Sequence, residues 1–314
     1  MGREACTRIC SLVLFAFISV TYGDLSTDSC ENTANKVLPQ VILNGQRTVV
    51  NESNFARHFD AAYPPTNGDE VTDDAKANGM EYFILNEEKR VLYIPNFLEA
   101  SAIKALQDMC QGRFVDSPVR ADADVTRDKT ERTSESCTMV PAAVYRTNEK
   151  YLSMVASLAT SPNPQVEAIQ REVDLSWRIT SRVTQFLRIS DASVVEALQL
   201  VRYTSPKAQY RVHHDHGAYY KKTEEHRPWT ALVILQAPEE GGYTSFPKLG
   251  LQVVPRAGDA IVWSNVNPDG TVDPDMVHAG EPPLKGTKMA MNVWVGEQSV
   301  EQRLKQSSSS GQWS

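Results

Sequence analysis

What this sequence lacks narrows it first. It has five cysteines in 314 residues, none in a CxxC pair and none at zinc-ligand spacing, so no thiolate metal site can be read from it. It has no basic patch interleaved with aromatics. The formal net charge is −7, and nucleic acid is therefore not expected as a partner. No segment recurs at a solenoid period. No protein nucleophile or acid–base dyad is evident. Nor is there a KDEL-type C-terminus, since the chain ends GQWS; retention in the endoplasmic reticulum would need another mechanism.

Long apolar runs are scarce too. ICSLVLFAFISV, at residues 9–20, is too short to span a bilayer comfortably. With Arg3 and Arg8 before it and the small and polar TYGDLS after it, the pattern is that of a secretory signal over residues 1–23. A retained type II anchor is the alternative. With the signal cleaved, no stable membrane span is expected, and the mature chain would meet the endoplasmic-reticulum lumen or be secreted. Cys6 and Cys10 leave with the signal, and Cys30, Cys110 and Cys137 remain. In an oxidising lumen Cys110 and Cys137 are the plausible disulfide, closing a charged loop, with Cys30 left over; three unpaired thiols are the other option. Asn51-Glu52-Ser53 is a glycosylation acceptor under the same reading.

Residues 24–78 are polar and punctuated, and read as an N-terminal extension with little core of its own. From about Met80 the pattern tightens. RVLYIPNF has strand character, and LEASAIKALQDMCQ has helical spacing. PVRADADVTRDKTERTSES reads as a charged loop with at most short strands. In VEAIQREVDLSWRITSRVTQFL, the residues Val166, Ile169, Val173, Trp177, Ile179 and Val183 trace one apolar face of a helix. After Ser190 come short strand-length runs (ALQLVRY, TALVILQ, YTSFP, LQVVP, AIVWSN, MAMNVWV) separated by PEEGG, RAGD, NPDG and LKGT. Helices first and a sandwich, jelly roll or barrel second is the expected order. The last residues, 301–314, read as a disordered tail.

RVHHDHGAYYKK, at 211–222, gathers three of the six histidines with one aspartate. In a strand, i and i+2 share a face. His213 then shares one with Asp215, and His214 shares the opposite face with His216. Only the first pair joins an imidazole to a carboxylate. A third ligand of suitable type stands at His278 in DMVHAG. Two histidines and one carboxylate on one side of a metal leave positions open on iron(II). His214 and His216 are expected to point outward, toward substrate or solvent. Lys288, ten residues after His278 and of the same parity, sits in the otherwise apolar GTKMAMNVW. Burying it there is costly without an anion; the plainer reading is a lysine snorkelling at a strand edge.

Residues 196–296 resemble the catalytic core of the 2-oxoglutarate- and iron(II)-dependent prolyl 4-hydroxylases, of the compact plant and algal type and the collagen type. EALQLVRY, YRVHHD, RPWTALVILQ, EEGGYTSFP, VVPRAGDAIVW, DGTVDPDMVHAGEPPLKGTK and NVW carry the likeness, in the family's order. A looser match runs back to RVLYIPNFLEASAIKAL and RTSES.

The resemblance implies an α+β fold, with a double-stranded β-helix (jelly-roll) core and supporting N-terminal helices, over residues 79–300. It implies Fe(2+) on His213, Asp215 and His278. It implies 2-oxoglutarate held by Lys288, with Tyr203 and Thr244 as hydrogen-bonding partners, and O2 as second cosubstrate, with L-ascorbate as an accessory. Tyr210, Arg227 and Trp294 are implied at the peptide groove or the mouth of the site, and Arg132, Ser134 and Glu196 near them. The activity implied is 4-hydroxylation of peptidyl proline in a proline-rich peptide or protein substrate, by a monomer or simple homo-oligomer. Alternatives are another secretory 2-oxoglutarate oxygenase with a different peptide or small-molecule substrate, and a non-catalytic jelly-roll binding module. The chain departs from the family at Gly296, Met289 and Trp229. These departures leave the choice of peptide open.

Overall fold

Trp229–Gln236 shows how the chain builds its centre. Seven of its eight residues are buried, and only the last, Gln236, is exposed. A strand covered on both faces must be apolar throughout, and period-2 alternation then divides its side chains between two compartments. Trp229, Ala231, Val233 and Leu235 enter one cluster, while Leu232 and Ile234 enter another. The first cluster lies between this strand's sheet and the helices. The second lies between the two sheets.

The computed structural model describes residues 38–58, 80–117, 119–121, 124–126, 132–204, 206–216 and 226–302. The expected signal, Cys30 and residues 303–314 of the expected tail lie outside the described residues. Trp229–Gln236 belongs to a nine-stranded antiparallel sheet. The order is Arg57–His58, Tyr82–Asn86, Val91–Ile94, Ala260–Ser264, Trp229–Gln236, Lys288–Val295, Gln199–Tyr203, Glu135–Thr138, Val115–Asp116. Facing it is a six-stranded antiparallel sheet in the order Tyr210–His213, His278–Gly280, Thr244–Phe246, Leu251–Val253, Gln40–Leu43, Gln46–Val49. Two facing antiparallel sheets with helices backing one of them make the α+β jelly roll.

The helix Pro164–Leu187 starts where Asn163 accepts from the amides of Gln165 and Val166, with proline in its first turn. It ends at Arg188, which takes a left-handed conformation at φ 57°. It buries more than one face. Leu175, Ile179, Val183 and Phe186 pack toward the nine-stranded sheet, whereas Val173, with Ile169 and Trp177, packs against Ala142 and Tyr151 of two shorter helices. Each of the fully buried aliphatic or aromatic side chains contributes about 1.5–3 kcal/mol of burial free energy. A disulfide joins Cys110, the last residue of helix Ala100–Cys110, to Cys137 in strand Glu135–Thr138, tying the helix to the sheet's far side. No helix among the described residues is long and apolar enough to cross a membrane.

One expectation needs correcting. Residues 24–78 do not all lie outside the domain. Gln40–Leu43 and Gln46–Val49 form a hairpin across Asn44 (φ 49°) and Gly45 (φ 83°), and Val41 pairs with Val253 in the six-stranded sheet. Both turn residues need positive φ, which asparagine tolerates and glycine adopts freely. Val41 is fully buried. The compact unit therefore begins at Leu38.

Candidate active site

The strands Tyr210–His213 and His278–Gly280 pair antiparallel with His213 directly opposite His278. That register brings two imidazoles together, with ring centroids 4.3 Å apart. Asp215 follows just past the strand end. One carboxylate oxygen lies 3.6 Å from Nε2 of His213, and the other lies 3.4 Å from Nε2 of His278. Strand alternation does not produce this grouping, because the strand stops at His213 and the chain bends to deliver Asp215.

The tautomers are fixed by the backbone. Nδ1 of His213 lies 2.8 Å from the Arg211 carbonyl, and Nδ1 of His278 lies 3.0 Å from the Met276 carbonyl. A carbonyl can only accept, so both Nδ1 atoms donate, and Nε2 is the atom that each ring turns to Asp215. Burial, and then His278, push the His213 imidazole down to about 4. Burial opposes the charge on Asp215, yet His278 and His213 hold its carboxyl well below the usual range. Two imidazole Nε2 atoms and one carboxylate, all converging, are a donor set that fits iron(II).

Behind Asp215 runs a chain of donors with no counterpart in the sequence reading. Thr230 Oγ1 donates to the Asp215 carboxylate at 2.8 Å, Asn265 Nδ2 donates to Thr230 at 2.9 Å, and Trp263 Nε1 donates to Asn265 at 3.0 Å. Thr230 and Asn265 are fully buried. Such partners set the orientation of a ligating carboxylate.

Lys288 is also interior, at 1% exposure, so it does not snorkel. Its strand explains how. Met289, Met291, Val293 and Val295 face the helices, which leaves Lys288, Ala290, Asn292 and Trp294 on the opposite face, toward the pocket. Nζ donates to Thr244 Oγ1 at 3.2 Å and stands 5.7 Å from the centre of the Tyr203 ring. Burial, which outweighs the pull of Glu281, lowers its ammonium to about 8. Lys288, Tyr203, Thr244, His213, Asp215 and His278 all line one pocket, together with Tyr210 and Trp294.

The aromatic candidates are held differently. Tyr210 stacks on the His213 ring at 3.5 Å, and the Arg132 guanidinium covers the Tyr210 ring at 4.5 Å. Arg132 in turn donates to Gln199 and to Ser134. Arg227 does not line the pocket. It makes a two-pronged ion pair with Glu196, at 2.7 and 2.8 Å, and lies 4.1 Å over the Trp294 ring. Its reach to the site is through Trp294, whose buried Nε1 has no hydrogen-bond partner among the described residues.

His214 and His216 do not point to solvent. Both are 2% exposed. His214 Nε2 donates to the Asp273 carbonyl at 2.8 Å, and its Nδ1 accepts from the His216 amide at 3.0 Å. Both of its ring nitrogens are thus engaged, which fits a structural role in turning the chain toward Asp215. Two of the departures from the family pattern also lie away from the pocket. Met289 and Trp229 belong to the helix-side cluster.

Residues 198–296 match the 2OG-Fe(II) oxygenase superfamily. Prolyl 4-hydroxylase 13 of Arabidopsis thaliana is 24% identical over 250 residues, which cover 74% of this chain and 80% of that protein. Prolyl 4-hydroxylase subunit alpha-1 of Gallus gallus is 35% identical over 132 residues, or 40% of this chain and 25% of the subunit. A viral collagen prolyl hydroxylase from Paramecium bursaria Chlorella virus-1 superposes with a TM-score of 0.46 at 19% identity, over 74% of this chain and 98% of that one. Residues 198–296 thus carry a 2-oxoglutarate- and iron(II)-dependent dioxygenase domain, and the chain around them is similar to prolyl 4-hydroxylases.

Proposed function

We propose that this dioxygenase 4-hydroxylates peptidyl proline in proteins passing through the secretory pathway, with 2-oxoglutarate and O2 as cosubstrates and ascorbate as the accessory reductant. The observation that carries the reading is a buried lysine in the same pocket as two imidazoles and a carboxylate. A lone cation at 1% exposure needs an anion, and a dicarboxylate anchored at the metal end supplies one. Iron(II), bound by His213, Asp215 and His278, supplies the dioxygen chemistry that couples cosubstrate decarboxylation to hydroxylation.

The protein's own part is placement. Lys288 and Thr244 bind the distal carboxylate of 2-oxoglutarate by charge-assisted and neutral hydrogen bonds, and Tyr203 bounds that end of the pocket. Thr230 keeps the Asp215 carboxylate turned to the two Nε2 atoms. Tyr210 packs flat on His213 and restrains that ring. Trp294 offers an indole N–H to an acceptor on the bound peptide, with Arg227 and Glu196 holding the indole in place. A proline-rich chain arrives already extended as polyproline II, so little entropy is lost when it docks on such aromatics. The Cys110–Cys137 disulfide supports an oxidising compartment.

The test is mass spectrometry of poly-proline and collagen-like Pro-Pro-Gly peptides incubated with enzyme, iron(II), 2-oxoglutarate and ascorbate. A gain of one oxygen on proline is expected. Iron-dependent 2-oxoglutarate decarboxylation with no oxygen on either peptide would remove the prolyl assignment and leave the oxygenase one.

A further inference from the structure

A second group of metal-competent side chains lies outside the triad and takes no part in the chemistry above. His216, His226 and Glu297 each offer one ligand atom, and the three atoms lie within 4.8 Å of one another. His226 Nδ1 stands 3.8 Å from a Glu297 carboxylate oxygen, and the His216 and His226 rings meet edge to face at 5.1 Å. Zinc bonds of about 2.0–2.2 Å set ligand atoms of a tetrahedral site roughly 3.4 Å apart. Small side-chain rotations therefore close this set on an ion.

The three residues come from separate segments, and backbone contacts hold each of them. The His216 amide donates to His214, whose ring is itself anchored on Asp273. The Glu297 amide donates to the His226 carbonyl at 3.2 Å, which fixes those two residues against each other. Beside them, Arg227 is locked to Glu196, and the Gly296 amide donates to the Val194 carbonyl. An ordinary surface ion pair between His226 and Glu297 has no use for a third, interior imidazole edge-on to it. Their side chains are 44% and 51% exposed, which opens a fourth position to water.

We propose that His216, His226 and Glu297 form a second divalent-metal site, separate from the iron triad. Two imidazoles and one carboxylate are ligands that zinc accepts, so zinc is the probe ion. A bound ion joins the chain on either side of residues 217–225 to the end of the strand that carries Trp294. Because it binds the folded state only, it stabilises the enzyme in proportion to occupancy.

The test is metal stoichiometry, which does not depend on turnover. Full-length protein is equilibrated with zinc, freed of loose metal by gel filtration and measured by inductively coupled plasma mass spectrometry. Wild type is expected to keep two zinc ions per chain, one of them in the triad. H226A and E297Q, both at half-exposed positions that folding tolerates, should each keep one. H278A, which opens the triad, should also keep one, and zinc should still raise its Tm. A wild type that keeps a single ion, or H226A and E297Q chains that keep two, would overturn the proposal.

Discussion

The two faces of the strand Lys288–Val295 make the most instructive contrast in the molecule. One face, with Met289, Met291, Val293 and Val295, is apolar and packs on the helices. The other carries Lys288, Asn292 and Trp294 into the pocket, where Lys288 is as shielded from water as the methionines and Asn292 is half-buried. Lys288 is buried like its apolar neighbours, but the energetics of its burial are opposite. Methionine and valine gain about 1.5–3 kcal/mol each by leaving water. Lysine loses by it until an anion arrives. The first face holds the fold together, and the second stores an unmet need that only a ligand relieves.

The comparison breaks most completely at the metal end. Asp215→Ala removes the carboxylate that both Nε2 atoms face, and 2-oxoglutarate decarboxylation should fall below detection. The Tm should move by no more than a few degrees, as followed by circular dichroism. A variant with residual turnover within tenfold of wild type would place the metal elsewhere. Next in size, Cys110→Ser tests the helix side without touching the pocket. The disulfide closes a loop of sequence separation 27. Its loss should cost roughly 3–4 kcal/mol in chemical denaturation, with the KM for 2-oxoglutarate unchanged in the protein that remains folded.

Smaller effects sharpen the contrast. Thr230→Val keeps shape and deletes the hydrogen bond to Asp215, and should weaken iron affinity about 10–100-fold. Equilibrium metal binding measured by competition with a chelator would show it, and unchanged affinity would reduce Thr230 to packing. The pH profile is subtler. Lys288 is charged below its pKa, which burial has lowered to about 8. As pH rises through 8 the ammonium is lost, so kcat/KM for 2-oxoglutarate should decline on the alkaline side while kcat at saturating cosubstrate declines less. A flat profile to pH 9.5 would show that the charge does not bind cosubstrate.

Much of this was legible because both periods are simple. Each of the strand-length runs after Ser190 contains a strand, but the shared parity of Lys288 and His278 carried no information, because they lie in different strands of different sheets. The triad was legible through HxD and a distant histidine, although the physical reason differed. Asp215 arrives by a bend and not by strand alternation. The same alternation misdirected the reading of His214 and His216, whose burial depends on Asp273 and on loops that no local pattern reveals.

Two other features escaped for different reasons. The hairpin at 40–49 carried a plain signal, Asn44-Gly45 between VIL and TVV, but lay in a stretch judged by its polar composition. The Thr230–Asn265–Trp263 relay had no such signal, because Thr230 meets the other two only through pairing of Trp229–Gln236 with Ala260–Ser264. Its trace in the sequence is a lone threonine in an otherwise apolar strand that ends in Gln236.

The central claim is that one strand separates binding from stability by face. Lys288→Met and Met291→Ala, compared side by side in Tm and in KM for 2-oxoglutarate, test it most directly. Lys288→Met should raise KM by about two orders of magnitude or more, since a buried charge pair broken on one side costs roughly 3–5 kcal/mol, and should leave Tm equal or higher. Met291→Ala should lower stability by about 2–5 kcal/mol and leave KM within twofold. If Lys288→Met destabilised the protein and left KM unchanged, the lysine would be a structural cation and the account of the pocket would be wrong.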